Sequence, residues 1–564
     1  MKHFISRRNF LKAAGVTAAA SAMAAAVPQA SAGFLTGKDA AVTILYTNDV
    51  HTYIDNKSPK LTYAAIAAMK QGYVDEGKPV LLVDAGDHIQ GTAYGSMDNG
   101  ATIIELMNEA GYDIAALGNH EFDYGMARTK AIIKEADFPY VSCNWVDLRT
   151  GLRVLPAVKL FPAGGKWIAF VGITTPESFT KSTPAYFMNA KQTRYIYDIL
   201  GGDDGRKLYD AVQKAIDKAK TLGADIIIGL GHLGVDPSSS PWTSEEVIAN
   251  TTGFDAFIDG HSHTVMENKQ VYDAAGKAVT LTQTGSYFAN VGEMTIAADG
   301  TITTKLIPTH EGMDAGIAAM QTGWVNTVDD MLGEKIAVGD SDFYVSDPAT
   351  GKRRIRSAET NLGDFVADGI YTYFNEVEKL HCDVAIMNGG GIRADVPAGD
   401  WTFKTCKQVS PFGNVACLMS VTGKQIQDAL EFAARFAGED GKENGGFLQV
   451  AGATYEIHTD IPNTVQTDEK NVWIGSATGT PRVQNVKIYD KASGSYLPLD
   501  PGATYALAGM NYTLRNLGDG FAMFDGADAA GLPHLSSANS PLAAYPGYLL
   551  NYEQPYGAGR ITIL

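Results

Sequence analysis

Between Val42 and about Thr303, short and mainly apolar runs rich in β-branched residues recur, most of them closed by Gly or Asp. They are Val42–Tyr46, Val80–Val83, Ile114–Leu117, Trp167–Ile173, Ile226–Leu230 and Phe254–Ile258. Runs of this kind without strict alternation suit strands buried on both faces. Amphipathic stretches at Thr62–Met69 and Leu208–Leu222 predict helices between them. The alternation predicts one large α/β domain. A helical stretch at Gly316–Met331 then leads to a second region, which opens with Ile336–Val338. That region continues with a helix near Leu362–Phe374, a strand at Val384–Met387, a helix at Gly423–Ala437 and several late strands. The predicted organisation is a first domain over 33–314, a linker helix over 315–335 and a second α/β domain over 336–564.

The residues before Gly33 read differently. Ser6-Arg7-Arg8-Asn9-Phe10-Leu11-Lys12 precedes an alanine-rich run, Ala13–Val27, and then Ala30-Ser31-Ala32. A basic segment, a short apolar segment and small residues at a cleavage point resemble a twin-arginine signal peptide over residues 1–32. The apolar stretch is too short and too alanine-rich for a membrane span, which needs about 20 strongly apolar residues. The expectation is export by the twin-arginine machinery to the periplasm or beyond, without a stable membrane anchor. That route carries folded proteins, so a metal loaded before export is compatible with it.

Composition narrows the classes. With 45 Lys+Arg against 63 Asp+Glu, the net charge of −18 argues against nucleic-acid binding, which rewards surplus basic residues. Cys143, Cys382, Cys406 and Cys417 lack zinc-knuckle spacing. An oxidising compartment permits a bridge among the last three without specifying the pair. Oligomeric state is not legible.

The chemistry gathers where the apolar runs end. The first is followed by Asn48-Asp49-Val50-His51, the second by Asp84-Ala85-Gly86-Asp87, and the third by Gly118-Asn119-His120-Glu121-Phe122-Asp123. Ile226–Leu230 is followed by Gly231-His232, and Phe254–Ile258 by Asp259-Gly260-His261-Ser262-His263. In α/β sheets, ligands bind outside the carboxyl ends of strands, so these five ends can converge on one place. A mixed oxygen and imidazole set suits Zn, Mn or Fe, and it holds too many donors for one tetrahedral ion. Two divalent ions about 3.5 to 4 Å apart would use them.

Taken together, these motifs resemble the calcineurin-like metallophosphoesterases, and within them the secreted 5'-nucleotidase and UDP-sugar hydrolase family. The resemblance implies an α/β/β/α sandwich followed by a second α/β domain. It implies that Asp49, His51, Asp87 and His263 hold one metal. Asp87, Asn119, His232 and His261 would hold the other, with Asp87 bridging and His120 and Asp123 as the catalytic pair. Thr52 stands where Gly often follows the first His, and His88 follows the bridging Asp as a peripheral residue rather than a ligand.

The second region carries Arg356-x-x-Glu359-x-Asn361, Asn388-Gly389-Gly390-Gly391-Ile392-Arg393, Pro411-Phe412-Gly413-Asn414, Asn511-Tyr512 and Gly518-Asp519-Gly520. Arg356 and Arg393 can hold an anion, and Phe412 and Tyr512 can stack on a flat base. The same family resemblance implies that Arg356, Asn388 and Arg393 contact a nucleotide substrate. It places Phe412 and Tyr512 around the base and Asp519 on the ribose, with rotation of the second domain about a hinge near 315–340. The expected activity is phosphate release from nucleoside 5'-monophosphates, extending to nucleotide sugars or nucleoside di- and triphosphates. The alternatives are a 2',3'-cyclic-nucleotide phosphodiesterase with 3'-nucleotidase activity, a thiosulfohydrolase, and a non-catalytic nucleotide-binding protein.

Overall fold

The computed structural model describes residues 40–55, 61–189, 194–439, 442–524, 528–529 and 541–564. The signal sequence and the cleavage point after Ala32 lie outside the described residues. Among the described residues, beside a small three-stranded sheet of Leu152–Arg153, Trp145–Asp147 and Tyr197–Ile199, the first domain is built on two six-stranded sheets. One is ordered Ile302–Ile307, Val291–Ile296, Val42–Thr47, Val80–Asp84, Ile114–Ala116, Tyr140–Val141. The other is ordered Val265–Tyr272, Ala278–Thr284, Ala256–Ile258, Ile226–His232, Lys166–Thr174, Val158–Ala163.

Period-two alternation decides what each sheet face covers. Val42, Ile44 and Tyr46 meet Ile168, Phe170, Ile228 and Leu230 between the sheets. Leu45 and Leu82 point the other way, onto Ile66, Ile103 and Met107 of the helices Tyr63–Asp75 and Ala101–Ala110. On the far side of the second sheet, Ala169 and Val171 pack with Leu208, Val212 and Ile216 of the helix Arg206–Thr221. The layers are therefore helix, sheet, sheet, helix. Because the central strands are parallel, their carboxyl ends share an edge. Thr47 pairs with Asp84 in one sheet, and His232 with Thr174 in the other.

The helix Ala315–Leu332 is capped by the Asp314 side chain, which accepts the Ile317 N–H. Its buried Ile317, Trp324 and Val328 belong to the first domain's core. The next strand, Lys335–Gly339, pairs with Gly399–Thr402 of the second region. The helix therefore packs with the first domain, Asp329 near its end pairs with Lys404 of the second region at 2.8 Å, and Gly333 and Glu334 separate it from the next strand.

In the second region Leu448–Ala451, Val384–Asn388, Thr504–Met510 and Ala416–Thr422 form consecutive neighbours of a sheet, with the helix Asn361–Thr372 against it. That helix stops short of the expected Phe374 and continues as a wider turn, Tyr373–Val377. There the Asn375 amide donates to the Tyr371 and Cys382 carbonyls. The helix Gly423–Ala433 ends before the expected Ala437, and carbonyls at and beyond its end are taken by side chains. Asn444 donates to Ala433, and the Arg482 guanidinium to Ala434, Arg435 and Ala437. All four cysteines are free thiols, so the bridge considered among Cys382, Cys406 and Cys417 is not formed. Among the described residues no helix is long and apolar enough to cross a membrane.

Candidate functional site

The loops that leave the sheet edge are held in unusual backbone conformations. Asp49, His51, Asp87, His261 and His263 all have left-handed φ, between 49° and 78°. Such strain costs roughly 1–3 kcal/mol per residue and persists only where the surroundings enforce it. The enforcement is visible. The amide of Asp49 donates to Gly86 O and that of His51 to Asp87 O, both at 3.0 Å. Glu121, fully buried, accepts the amides of Asp87 (2.8 Å), His88 (2.9 Å) and Gly118 (2.7 Å), tying two loops together. Glycine is required at Gly118, where a Cβ would lie 2.2 Å from Asp87 Oδ1.

These loops bring the expected ligands together. Asp49, His51 and His263 form one group of convergent donor atoms, and Asp87, His232 and His261 form another. His51, Asp87 and His120 make a third, so Asp87 stands between the sets. His232 Nε2 lies 3.1 Å from Asp87 Oδ2, and His263 Nε2 lies 3.4 Å from Asp49 Oδ1. Backbone carbonyls orient two of the rings. His51 Nδ1–H donates to Gln90 O at 2.8 Å and His232 Nδ1–H to Ala85 O at 2.7 Å, which turns each Nε2 toward the cluster.

The residues fit a pair of cations. Asn119 Oδ1 is buried without a hydrogen-bond partner, and the buried Asp49 Oδ1 and His232 Nε2 meet only other expected ligands, His263 Nε2 and Asp87 Oδ2. Orphaned buried polar atoms are costly unless something else satisfies them. The electrostatics agree. Burial opposes ionisation of Asp87, yet His232 and His120 hold its carboxyl well below the ordinary range. Burial also opposes a charged His232, yet Asp87 and Asp49 push it up to about 10.

His120 Nδ1 lies 2.5 Å from Asp123 Oδ2, and its backbone amide donates to Asp87 Oδ1 at 2.8 Å. Burial disfavours its charged form, but Asp123 and Asp87 outweigh that and raise its pKa. His88 stays outside the clusters, with Nδ1 on Asp84 at 2.9 Å and Nε2 on the Tyr140 hydroxyl at 2.8 Å. Thr52 adopts φ 61°, and its hydroxyl pairs with that of Thr92 at 2.7 Å.

Above this floor lies a cavity of about 330 Å³ with walls from both domains. Asp87, Asn119, His120, Asp123, His261 and His263 face Arg356, Asn388, Arg393, Phe412, Tyr512 and Asp519 across it. Asp49, His51 and His232 lie fully buried beneath. The Phe412 ring centroid is 6.2 Å from that of His120, and the Arg393 guanidinium lies 5.9 Å from the Phe412 ring. Asn388 donates to Asp519 Oδ2 at 2.9 Å, so these two reach the cavity as a bonded pair. The Tyr512 hydroxyl accepts the Asp519 amide at 3.1 Å and donates across the domain boundary to Thr180 O at 2.7 Å.

Several cavity residues were not anticipated from the sequence. Arg353 stands with Arg356 and Arg393, and burial followed by these two neighbours pulls Arg356 down to about 9. Glu443 partly offsets the cluster, with Oε2 2.7 Å from Arg353 Nε and 3.9 Å from Arg356 Nη1. The basic run Lys352-Arg353-Arg354 was the available signal. Glu177 also lines the cavity, three residues beyond the strand Lys166–Thr174. That strand end was the one left unread.

Comparison with known proteins gives three matches to family models. Residues 42–265 match the calcineurin-like phosphoesterase, 336–526 the 5'-nucleotidase C-terminal domain, and 5–24 the twin-arginine translocation signal sequence. The chain is 29% identical over 529 residues to the trifunctional nucleotide phosphoesterase protein YfkN of Bacillus subtilis. That match covers 86% of this chain but 32% of the larger protein, so the chain spans about a third of it. It is 28% identical to a human 5'-nucleotidase, covering 86% of this chain and 84% of the relative. A crystal structure of a 5'-nucleotidase precursor from Thermus thermophilus superposes with a TM-score of 0.72 at 25% identity, covering 93% of this chain and 99% of the other.

Proposed function

Because the chain belongs to the calcineurin-like phosphoesterases that carry a 5'-nucleotidase C-terminal domain, we propose that this exported, metal-dependent enzyme releases phosphate from nucleoside 5'-monophosphates. The observation that carries the reading is the shared cavity. A cation-type floor, an acid pair and a guanidinium cluster from one domain or the other face the same space as two aromatic rings.

Asp49, His51, Asp87 and His263 would hold one divalent ion, and Asp87, Asn119, His232 and His261 the other. Zn, Mn or Fe suits the donors. When bound, the pair supplies Lewis acidity and makes water nucleophilic near neutral pH. His120, kept protonated by Asp123, directs its Nε2–H at the phosphoryl group and the leaving oxygen, where negative charge develops. Arg356 and Arg393 neutralise the phosphate from the opposite wall. Phe412 and Tyr512 hold the base by stacking, and Asp519, fixed by Asn388, accepts from the ribose. The P–O ester bond breaks, the nucleoside oxygen takes a proton, and water supplies the fourth oxygen of phosphate. Nucleotide sugars and longer phosphate chains extend the same reading.

The test is phosphate release from AMP by the chain beginning at Gly33, with Mn²⁺ or Zn²⁺, beside a chelated control. Rapid, chelator-sensitive release is expected. No release from folded, metal-loaded protein would move the assignment to 2',3'-cyclic nucleotides or thiosulfate, or to a protein that binds nucleotide without catalysis.

A further inference from the structure

Glu177 is 5% exposed, at the start of the short helix Ser178–Lys181. Its Oε2 lies 2.8 Å from His261 Nε2 and accepts the Ser239 hydroxyl at 2.6 Å, while Lys181 Nζ is 3.9 Å from its Oε1. It is not a member of the donor group formed by Asp87, His232 and His261.

A carboxylate can only accept, so the proton of His261 resides on Nε2 and the Nδ1 lone pair is the one left for an ion. This is the reverse of His51 and His232, whose Nδ1–H groups donate to carbonyls. It is also held differently, since a backbone carbonyl survives any substitution and a side chain does not. The His261 backbone is fixed from the other side, its amide donating to Asp49 Oδ2 at 2.9 Å. Backbone and ring are therefore pinned by two carboxylates from two strand ends.

We propose that Glu177 is a positioning residue that sets the tautomer and ring orientation of His261 for the second ion. This rests on the reading of the floor as a two-ion site. Outer partners of ligating histidines typically govern about 10–100-fold in metal affinity. The loss should fall on one ion of the two, because Asp49, His51 and His263 have no contact with Glu177.

The experiment compares full-length mature protein with Glu177→Ala and Glu177→Gln, each loaded with Mn²⁺ or Zn²⁺. Metal content is read by mass spectrometry after dialysis, and affinity by competition with a chelating dye. Glu177→Ala is expected to keep one ion at parental affinity and to bind the other about 10–100-fold more weakly. Glu177→Gln, which still presents an acceptor oxygen, should fall between it and the parent. Excess metal should restore kcat in both. Two ions at parental affinity in Glu177→Ala would overturn the proposal, as would equal loss of both. Should Glu177→Ala not fold, Glu177→Gln decides on the same readouts, with a selective loss supporting the role and parental binding overturning it. Binding is measured without nucleotide, so a chain that holds two ions yet leaves AMP intact defeats the nucleotidase reading and not this one.

Discussion

Replacing Tyr512 by Phe removes one oxygen and leaves the stacking ring. The hydroxyl makes two bonds, one from the Asp519 amide within the second domain and one to Thr180 O in the first. Only the second crosses between the domains, so only it bears on the rotation of the second domain that the family resemblance implies. A net hydrogen bond contributes about 0.5–1.5 kcal/mol, and leaving a buried carbonyl without a partner adds to that loss. A shift of about 1–2 kcal/mol lowers the ratio of closed to open forms by a factor of roughly 5 to 30. The assay is kcat/KM for AMP beside kcat/KM for a simple aryl phosphate, which shares the floor and the proposed phosphate contacts of Arg356 and Arg393 but has no nucleoside to hold. AMP should lose about 5–30-fold and the aryl ester less, because it forgoes the nucleoside contacts of the second domain. Parental activity on AMP would show that this bond does not help hold the domains over substrate. Equal losses on both substrates would mean that Tyr512 acts on the floor and not on the nucleoside.

The other predictions use different contacts. His120→Ala should keep both ions, by metal analysis, yet lose about 10²-fold or more in kcat; activity within a few-fold of the parent would remove it from the acid role. Phe412→Ala should cost nucleotides about 1–3 kcal/mol in kcat/KM while sparing the aryl ester. Gly118→Ala drives a methyl to 2.2 Å from Asp87 Oδ1 and should lower metal content at unchanged thermal stability of the second domain. Arg560 is fully buried, bonded to Asp368 at 2.7 Å and 3.7 Å from Asp364. Arg560→Met leaves buried Asp368 with only the Tyr548 and Tyr552 hydroxyls and should destabilise the second domain by about 3–5 kcal/mol, read in denaturant melts; an unchanged midpoint would sink that account.

The two halves of the site were not equally legible, and the reason is chemical. The proposed metal ligation restricts residue type and calls for donors at strand ends, so Asp49, Asp87, Asn119, His232 and His261 stand out beside apolar runs even in a single sequence. The runs themselves were readable because both sheet faces are covered, yet that same feature hid the layering. Phe170 faces the other sheet and Val171 faces a helix, and nothing in their apolar character says which. In the second domain Asn388 and Asp519 are bonded across 131 positions, and Arg393 joins Arg353 and Arg356 only through the fold. Asn, Asp and Arg there look like turn formers and solvated charges until a cavity collects them. Glu177 lies between these cases. It follows a strand end by three residues, as Asp87, Asn119 and His261 do, but without a glycine before it. Its partner His261 was conspicuous, and a buried imidazole facing a cation must place its second nitrogen somewhere. A search of the remaining strand ends for an acceptor would therefore have reached Glu177, because orienting one histidine nitrogen requires a partner for the other.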